Sequence, residues 1–148
     1  MTITTDDKIE VQELAARAYI GLDSEDAAGF AAGFADDGVF VAPYGEFVGP
    51  AAVKDFITRH IAAGKEDGVR HFLTNHVIDA HEDGARYRFY ITKMNIATGP
   101  VAIATAGGDC VVKRTADGWR FQRFQLTIDP AMFGDAKPVV APTVQKRD

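Results

Sequence analysis

The sequence predicts an α+β domain, on three observations. Apolar residues recur at helical spacing only before residue 64. After Gly68 the chain changes to long β-rich runs joined by the tight turns "EDG", "TGP" and "ADG". Helices and long strands are therefore segregated along the chain instead of alternating, which is the order of an α+β layout.

Residues 8–22 are predicted helical. Val11, Leu14, Ala15, Ala18, Tyr19 and Leu22 fall three and four apart and make one apolar face. Asp7 followed by Glu10 resembles a capping box ahead of it. Ser24 reads as the cap of a second helix, 25–35, with Glu25 and Asp26 in the first turn, where the helix dipole favours acid. Phe30 and Phe34 form an i, i+4 pair on it, and "ADDG" ends it. "VFVAPYGEFVG" reads as two short strands, or a strand and a turn, broken at Pro43 and Gly45. "GPAAVKDFITRHIAAG" is a third helix, with Pro50 near its first position and Gly64 at its end. Its apolar face is Val53, Phe56, Ile57 and Ile61.

Strands are predicted at about 69–80, 85–96, 101–114 and 118–128. Long strands so tightly joined form a curved antiparallel meander. Packed against three N-terminal helices, it makes a cone with an open end, and such a mouth is a natural small-molecule pocket. Residues 129–148 carry Pro130, Pro138 and Pro142 without a helical pattern. They read as an extended tail on a single domain, 1–148, whose core is about 8–128.

Bulk properties exclude several classes. A net charge of −5 disfavours nucleic acid or an anionic membrane as partner. Cys110 is the only cysteine, so no internal disulfide forms, and a reducing, cytoplasmic setting is expected. "MTITTDDKIE" lacks the apolar stretch of a signal peptide, and no run approaches the ~20 apolar residues of a membrane helix. No glycine-rich phosphate loop, GxSxG elbow or nucleotide fingerprint is present.

The chemistry-bearing stretch is "RHFLTNH", residues 70–76. His71 and His76 are five apart, so on a regular strand they face opposite sides and cannot pair on one metal. His60 on the third helix and His81 beside a hairpin are expected at the surface. No metal-ligand spacing appears, so neither metal nor cofactor is expected. An isolated strand histidine is more often packed or exposed than functional. Asp23 lies four residues after Tyr19, which brings the two side chains together on a helix; it reads equally as a cap in "DSED". Ten phenylalanines and four tyrosines suggest an aromatic-lined cavity, suited to a small hydrophobic or aromatic compound. Cys110 reads as a small buried hydrophobe.

The order of "YIGLDSEDAAGFAAGFADDGVF", "GPAAVKDFI", "RHFLTNHVID" and "DGWRFQRF" resembles a SnoaL-like member of the nuclear transport factor 2-like superfamily. Within that group the sequence is similar to scytalone dehydratase, bile-acid dehydratase and hexachlorocyclohexane dehydrochlorinase. The resemblance implies that His71 and Asp23 face each other in the cone as an acid–base dyad. Thr74 and Asn75 match the Thr-Asn that follows the histidine, and Tyr19 and Tyr44 match tyrosines that hydrogen-bond a substrate oxygen. Asn75 and Leu73 are expected to share the pocket face with His71. Tyr90, Met94 and Phe124 are expected as walls, Gly108 as a widening of the pocket, and Asp109 as a residue that points toward it.

Two positions depart from the dehydrochlorinase pattern: Ala18 stands in place of a lysine and Phe124 in place of an arginine. Arg123 is adjacent but falls on the other face of its strand, so a chloride leaving group is disfavoured. The implied activity is a cofactor-independent lyase, a dehydratase or related β-elimination or retro-aldol enzyme for a small aromatic, terpenoid or steroid-like compound. The alternatives are a ketosteroid-isomerase-like isomerase, a polyketide cyclase, or a non-catalytic binding module. A homodimer or homotrimer through the outer sheet face, at Phe72, Thr74 and His76, is also implied.

Overall fold

The computed structural model describes residues 2–133. The elements run α1 (Thr5–Asp23), α2 (Ala27–Ala31), β1 (Phe34–Ala42), β2 (Gly45–Val48), α3 (Gly49–Ala62), β3 (Val69–His81), β4 (Gly84–Asn95), β5 (Val101–Thr115) and β6 (Gly118–Ile128). A 3-10 turn, Pro130–Phe133, follows. The remainder of the expected C-terminal tail lies outside the described residues. Among those described, no helix is long and apolar enough to cross a membrane.

Helix α1 starts three residues earlier than the apolar periodicity suggests, because its cap is Thr4. The Thr4 hydroxyl accepts from the Asp7 backbone N–H (3.1 Å), and the Asp7 carboxylate accepts from the Thr4 N–H (2.9 Å). The capping box is thus Thr4–Asp7, not Asp7–Glu10. Arg114 of β5 pairs with the same carboxylate and lies over the Trp119 ring, its Cζ 5.0 Å from the centroid. The Thr4 donors, with the Arg114 charge, hold the Asp7 carboxyl below its usual range.

Helix α2 is far shorter than expected. Its cap is Asp26, whose Oδ1 accepts from the Gly29 N–H at 2.9 Å, not Ser24. The chain then enters β1 at Phe34, so "ADDG" lies inside a strand. Phe30 and Phe34 still meet, with ring centroids 5.9 Å apart, but across a helix–strand junction.

The six strands form one sheet in the order β2-β1-β6-β5-β4-β3. Neighbours are antiparallel except β1 and β6, which run parallel. The β3–β6 meander is as the turns suggest. The parallel pair arises because β6 returns beside β1 only after the chain has crossed through α3 and three further strands. Register breaks at Thr74/Val77, Lys93/Met94 and Val111/Val112 interrupt the ladder. Such bulges bend strands and increase local twist, and they curl the sheet around the helices without closing it.

The concave face carries the core. Phe124 is wholly buried and touches the rings of Tyr19, Phe34, Phe40, Phe89 and Phe121. Val53 and Ile57 of α3 and Val11, Leu14 and Ala18 of α1 close over it. On the outer face, Arg86 grips Asp109 through two hydrogen bonds (2.9 and 2.6 Å), and Arg88 pairs with Asp79 (3.1 Å). Asp109 therefore points away from the concave face. Phe72 and Tyr90 are half-exposed on the same outer side.

Gly108 does not widen a pocket. The Phe89 ring fills the space, and a Cβ added at Gly108 would lie 2.6 Å from its tip. Phe89 is itself packed between Tyr87 and Phe124 and has no room to yield. Gly108→Ala is therefore expected to destabilise the fold by about 1–3 kcal/mol, the usual penalty for overpacking a core. Urea denaturation measures it, and an unchanged midpoint would contradict this packing.

Candidate functional site

A cavity of about 150 Å³ lies between the helices and the concave face. Leu22, Phe40, Phe56, Ile57, Ile91 and Leu126 give it apolar walls, and its polar groups include His71, Glu66, His60 and Lys93, beside Tyr19.

Asp23 ends α1 and reaches across to the start of β3. Its Oδ2 accepts from the His71 backbone N–H at 3.0 Å, and its Oδ1 meets the His71 ring Nδ1 at 2.6 Å. Both side chains are shielded, at 8 % exposure for His71 and 15 % for Asp23. A carboxylate only accepts, so Nδ1 carries the ring proton and Nε2 is left with a free lone pair. The Tyr19 ring stands 5.1 Å from the imidazole. Burial pushes the Tyr19 hydroxyl far above its ordinary pKa, so it remains a neutral O–H donor.

Glu66 sits in the turn between α3 and β3, a turn set by Gly64 and Gly68, both with positive φ (73° and 62°). That backbone folds the turn inward, and the Glu66 side chain is only 2 % exposed. Its Oε1 meets His60 Nε2 at 3.0 Å and accepts from Lys93 Nζ at 3.1 Å. Lys93 also donates to the Lys65 carbonyl at 2.6 Å. Oε2 of Glu66 is buried without a hydrogen-bond partner, 3.9 Å from His71 Nε2. Burial alone would raise the Glu66 pKa. The His60 hydrogen bond and the Lys93 ammonium outweigh it and hold the carboxyl below its usual range.

The profile of the SnoaL-like domain family matches residues 4–125. The chain belongs to this family. A solved cystatin-like-fold protein of unknown function from Nostoc punctiforme is 27% identical, with 89% of this chain and 98% of that one covered and a TM-score of 0.80. An NTF2-like protein with a cystatin-like fold from Novosphingobium aromaticivorans is 26% identical over 83% of this chain and 82% of its own, with a TM-score of 0.73. ActVI-ORFA from Streptomyces coelicolor shares the fold at 21% identity, over 82% and 96% of the two chains, with a TM-score of 0.73. No curated protein matches the sequence.

Within this SnoaL-like domain the other sequence-predicted residues are dispersed. Tyr44 is 62% exposed and leans on Phe56 at the cavity's edge. Leu73 lies on the other side of His71, in a cleft shared with Gln12, Ala16 and Ile20 of α1. Asn75 does not share the pocket face: it is the left-handed residue of the β3 bulge (φ 58°) and is exposed. Tyr90 points outward, paired with Thr74. Phe124 lies in the core beneath the cavity. Arg123 faces Glu46, 3.6 Å away.

His71 and His76 do not face opposite sides of the sheet. The bulge between Thr74 and Val77 inserts one extra residue, which reverses the alternation, so His76 shares the concave side with His71. His76 Nδ1 bonds the Tyr87 hydroxyl at 2.8 Å and the ring stacks over Tyr87 and Phe89. His60 is not a surface residue but lines the cavity. His81 stands beside Glu82 at the hairpin.

Sequence reasoning passed over Glu66 and Lys93. Lys93 left a signal, since Tyr87, Phe89, Ile91 and Lys93 alternate onto one face and the lysine closes an otherwise apolar series. Asp23, Glu66 and His71 also place possible metal-ligand atoms within 4.8 Å of one another, a cluster no linear spacing reveals. The Lys93 ammonium on Glu66 competes with a cation there.

Glu66 carries a pH prediction. Its folded pKa lies below the ordinary glutamate value of 4.5, so the unfolded chain binds more protons in acid. The stabilisation is present above about pH 4.5 and is lost as pH falls through the folded value. Lys93→Met removes one charge that depresses the pKa. The acid-unfolding midpoint, followed by circular dichroism, should move to higher pH. At neutral pH the variant should lose about 1–3 kcal/mol, the usual cost of removing one hydrogen-bonded partner of a buried polar group, with the His60 bond retained. An unmoved midpoint would show that Lys93 does not neutralise Glu66.

Proposed function

We propose that this SnoaL-like domain is a cofactor-independent lyase that removes water from a small cyclic hydroxy-carbonyl compound. The observation that carries the reading is the free Nε2 of an imidazole clamped by Asp23 beside an apolar cavity. An oriented, shielded histidine is the group best suited to take a proton from a carbon next to a carbonyl. Tyr19 supplies a neutral donor close to the imidazole, suited to the oxygen on which negative charge develops. The cavity volume favours a compound of one or two rings over a whole steroid.

The reaction needs one base used twice. His71 Nε2 takes the proton from carbon. The same atom, as imidazolium, returns it to the departing hydroxyl. Asp23 fixes the ring through both steps and offsets the positive charge that appears on it.

Turnover of cyclic β-hydroxy ketones, followed by the absorbance of the conjugated enone, is the test. His71→Ala should lower kcat by a factor on the order of 10²–10⁴. Asp23→Asn should follow, because the ring loses its charge partner while the shape is kept. Tyr19→Phe should lose less, about one hydrogen bond. His76→Ala should leave turnover nearly unchanged, since its nitrogen is engaged with Tyr87. A His71→Ala protein as active as wild type, folded by circular dichroism, would remove the histidine mechanism, and no turnover by wild type would leave a binding module.

A further inference from the structure

The open oxygen of Glu66 and the free nitrogen of His71 stand 3.9 Å apart. That is too far for a direct hydrogen bond. With the ring proton on Nδ1, both atoms are acceptors. A buried acceptor with no donor is costly, and Glu66 cannot rotate out of the arrangement, because His60 and Lys93 hold its other oxygen. One oxygen atom about 2.8 Å from each, seated to the side of the line that joins them, would serve both if it brings hydrogen and if the side chains that now seal Oε2 from solvent shift slightly to admit it.

We propose that the gap between Glu66 Oε2 and His71 Nε2 is the leaving-group niche of the site, which receives a substrate hydroxyl and releases it as water. The inference rests on the elimination reading above and adds a residue and a selectivity to it. The substrate hydroxyl donates its own hydrogen to Glu66 Oε2. His71 Nε2 takes the proton from carbon, and the electrons of that C–H bond form the new double bond as the C–O bond breaks. The proton on Nε2 passes to the departing oxygen. One C–H and one C–O bond are broken, one π bond and one O–H bond are formed, and nothing is oxidised. The product water carries two hydrogens, one for each acceptor.

The niche therefore discriminates by leaving group. A methoxy group has no hydrogen for Oε2 and leaves it unsatisfied. A halide places a departing anion against a buried carboxylate. Gln at position 66 would keep its carbonyl oxygen on Lys93 and turn its NH₂ toward Nε2, replacing an acceptor with a donor.

Two measurements test this. The first is a high-resolution crystal structure of the unliganded protein. An ordered water bonded to both Glu66 Oε2 and His71 Nε2 is expected. A dry gap, or a divalent cation held by Asp23, Glu66 and His71, would overturn the proposal. The second is the binding of phenol and of anisole, read from the ¹⁵N resonances of the His71 ring. Wild type should bind phenol about tenfold more tightly, the worth of one hydrogen bond, and Glu66→Gln should bring the ratio near one. Equal binding in wild type, or a preference unchanged by Glu66→Gln, would overturn it. The two readings fail separately. His71-dependent elimination at equal rates from β-hydroxy and β-methoxy ketones removes the niche and keeps the lyase. A Glu66-dependent phenol preference with no turnover by wild type keeps a hydroxyl site and removes the elimination.

Discussion

One carboxylate fixes both the backbone and the ring of the strand residue at the centre of this site. Asp23 closes α1 and spends one oxygen on the His71 backbone and the other on its ring. The backbone bond fixes where β3 begins relative to the helix, and the ring bond fixes which nitrogen is free. Position and protonation are thus set by the same group. Because α1 buries Val11, Ala15 and Ala18 at its other turns, its end cannot drift without disturbing the core. The apolar packing therefore holds the Asp23–His71 contact rigid.

The second carboxylate is held differently. Glu66 is carried on a turn, and charge instead of chain position keeps it in place. Lys93 and His60 both bind Oε1, which leaves Oε2 as an uncompensated acceptor. In the dehydrochlorinase pattern the positive charge stands on the first helix, where this chain has Ala18, and on the last strand, where it has Phe124. Here the lysine comes from β4 and is spent on the Glu66 carboxylate, whose other oxygen stays an acceptor without a donor.

Much of the fold was legible because its signals are local. Helical spacing through Val11, Leu14, Ala18 and Leu22, the proline at α3, and three tight turns each act over a few residues, and α1, α3 and β3–β6 follow from them. The short α2 was misread because Phe30 and Phe34 keep a helical spacing while β6 draws Phe34 into a parallel ladder, a long-range pairing invisible in the local pattern. Asp23 and His71 came from resemblance to a family, not from spacing, since 48 residues separate them. His76 was assigned to the wrong face by strict alternation, and the residue responsible, Asn75, adopts a conformation its neighbours do not announce. Glu66 had no signal at all, for an acid in "AGKEDG" looks like any solvated turn.

The arrangement of polarity around the cavity constrains how a substrate lies. Much of the lining is aromatic or aliphatic, while His71, Glu66, His60 and Lys93 form one polar network. A ring compound can satisfy both only with its hydroxyl toward that network and its carbon skeleton along Phe40, Phe56 and Ile91. Within that pose the reach of Nε2 is short, so in the proposed elimination its proton would come from a carbon adjoining the one that bears the hydroxyl. Proton and leaving group then depart from the same side of the ring. In the elimination proposed above, a single histidine serving both steps requires syn stereochemistry, because the clamp on Nδ1 leaves the imidazole one working nitrogen.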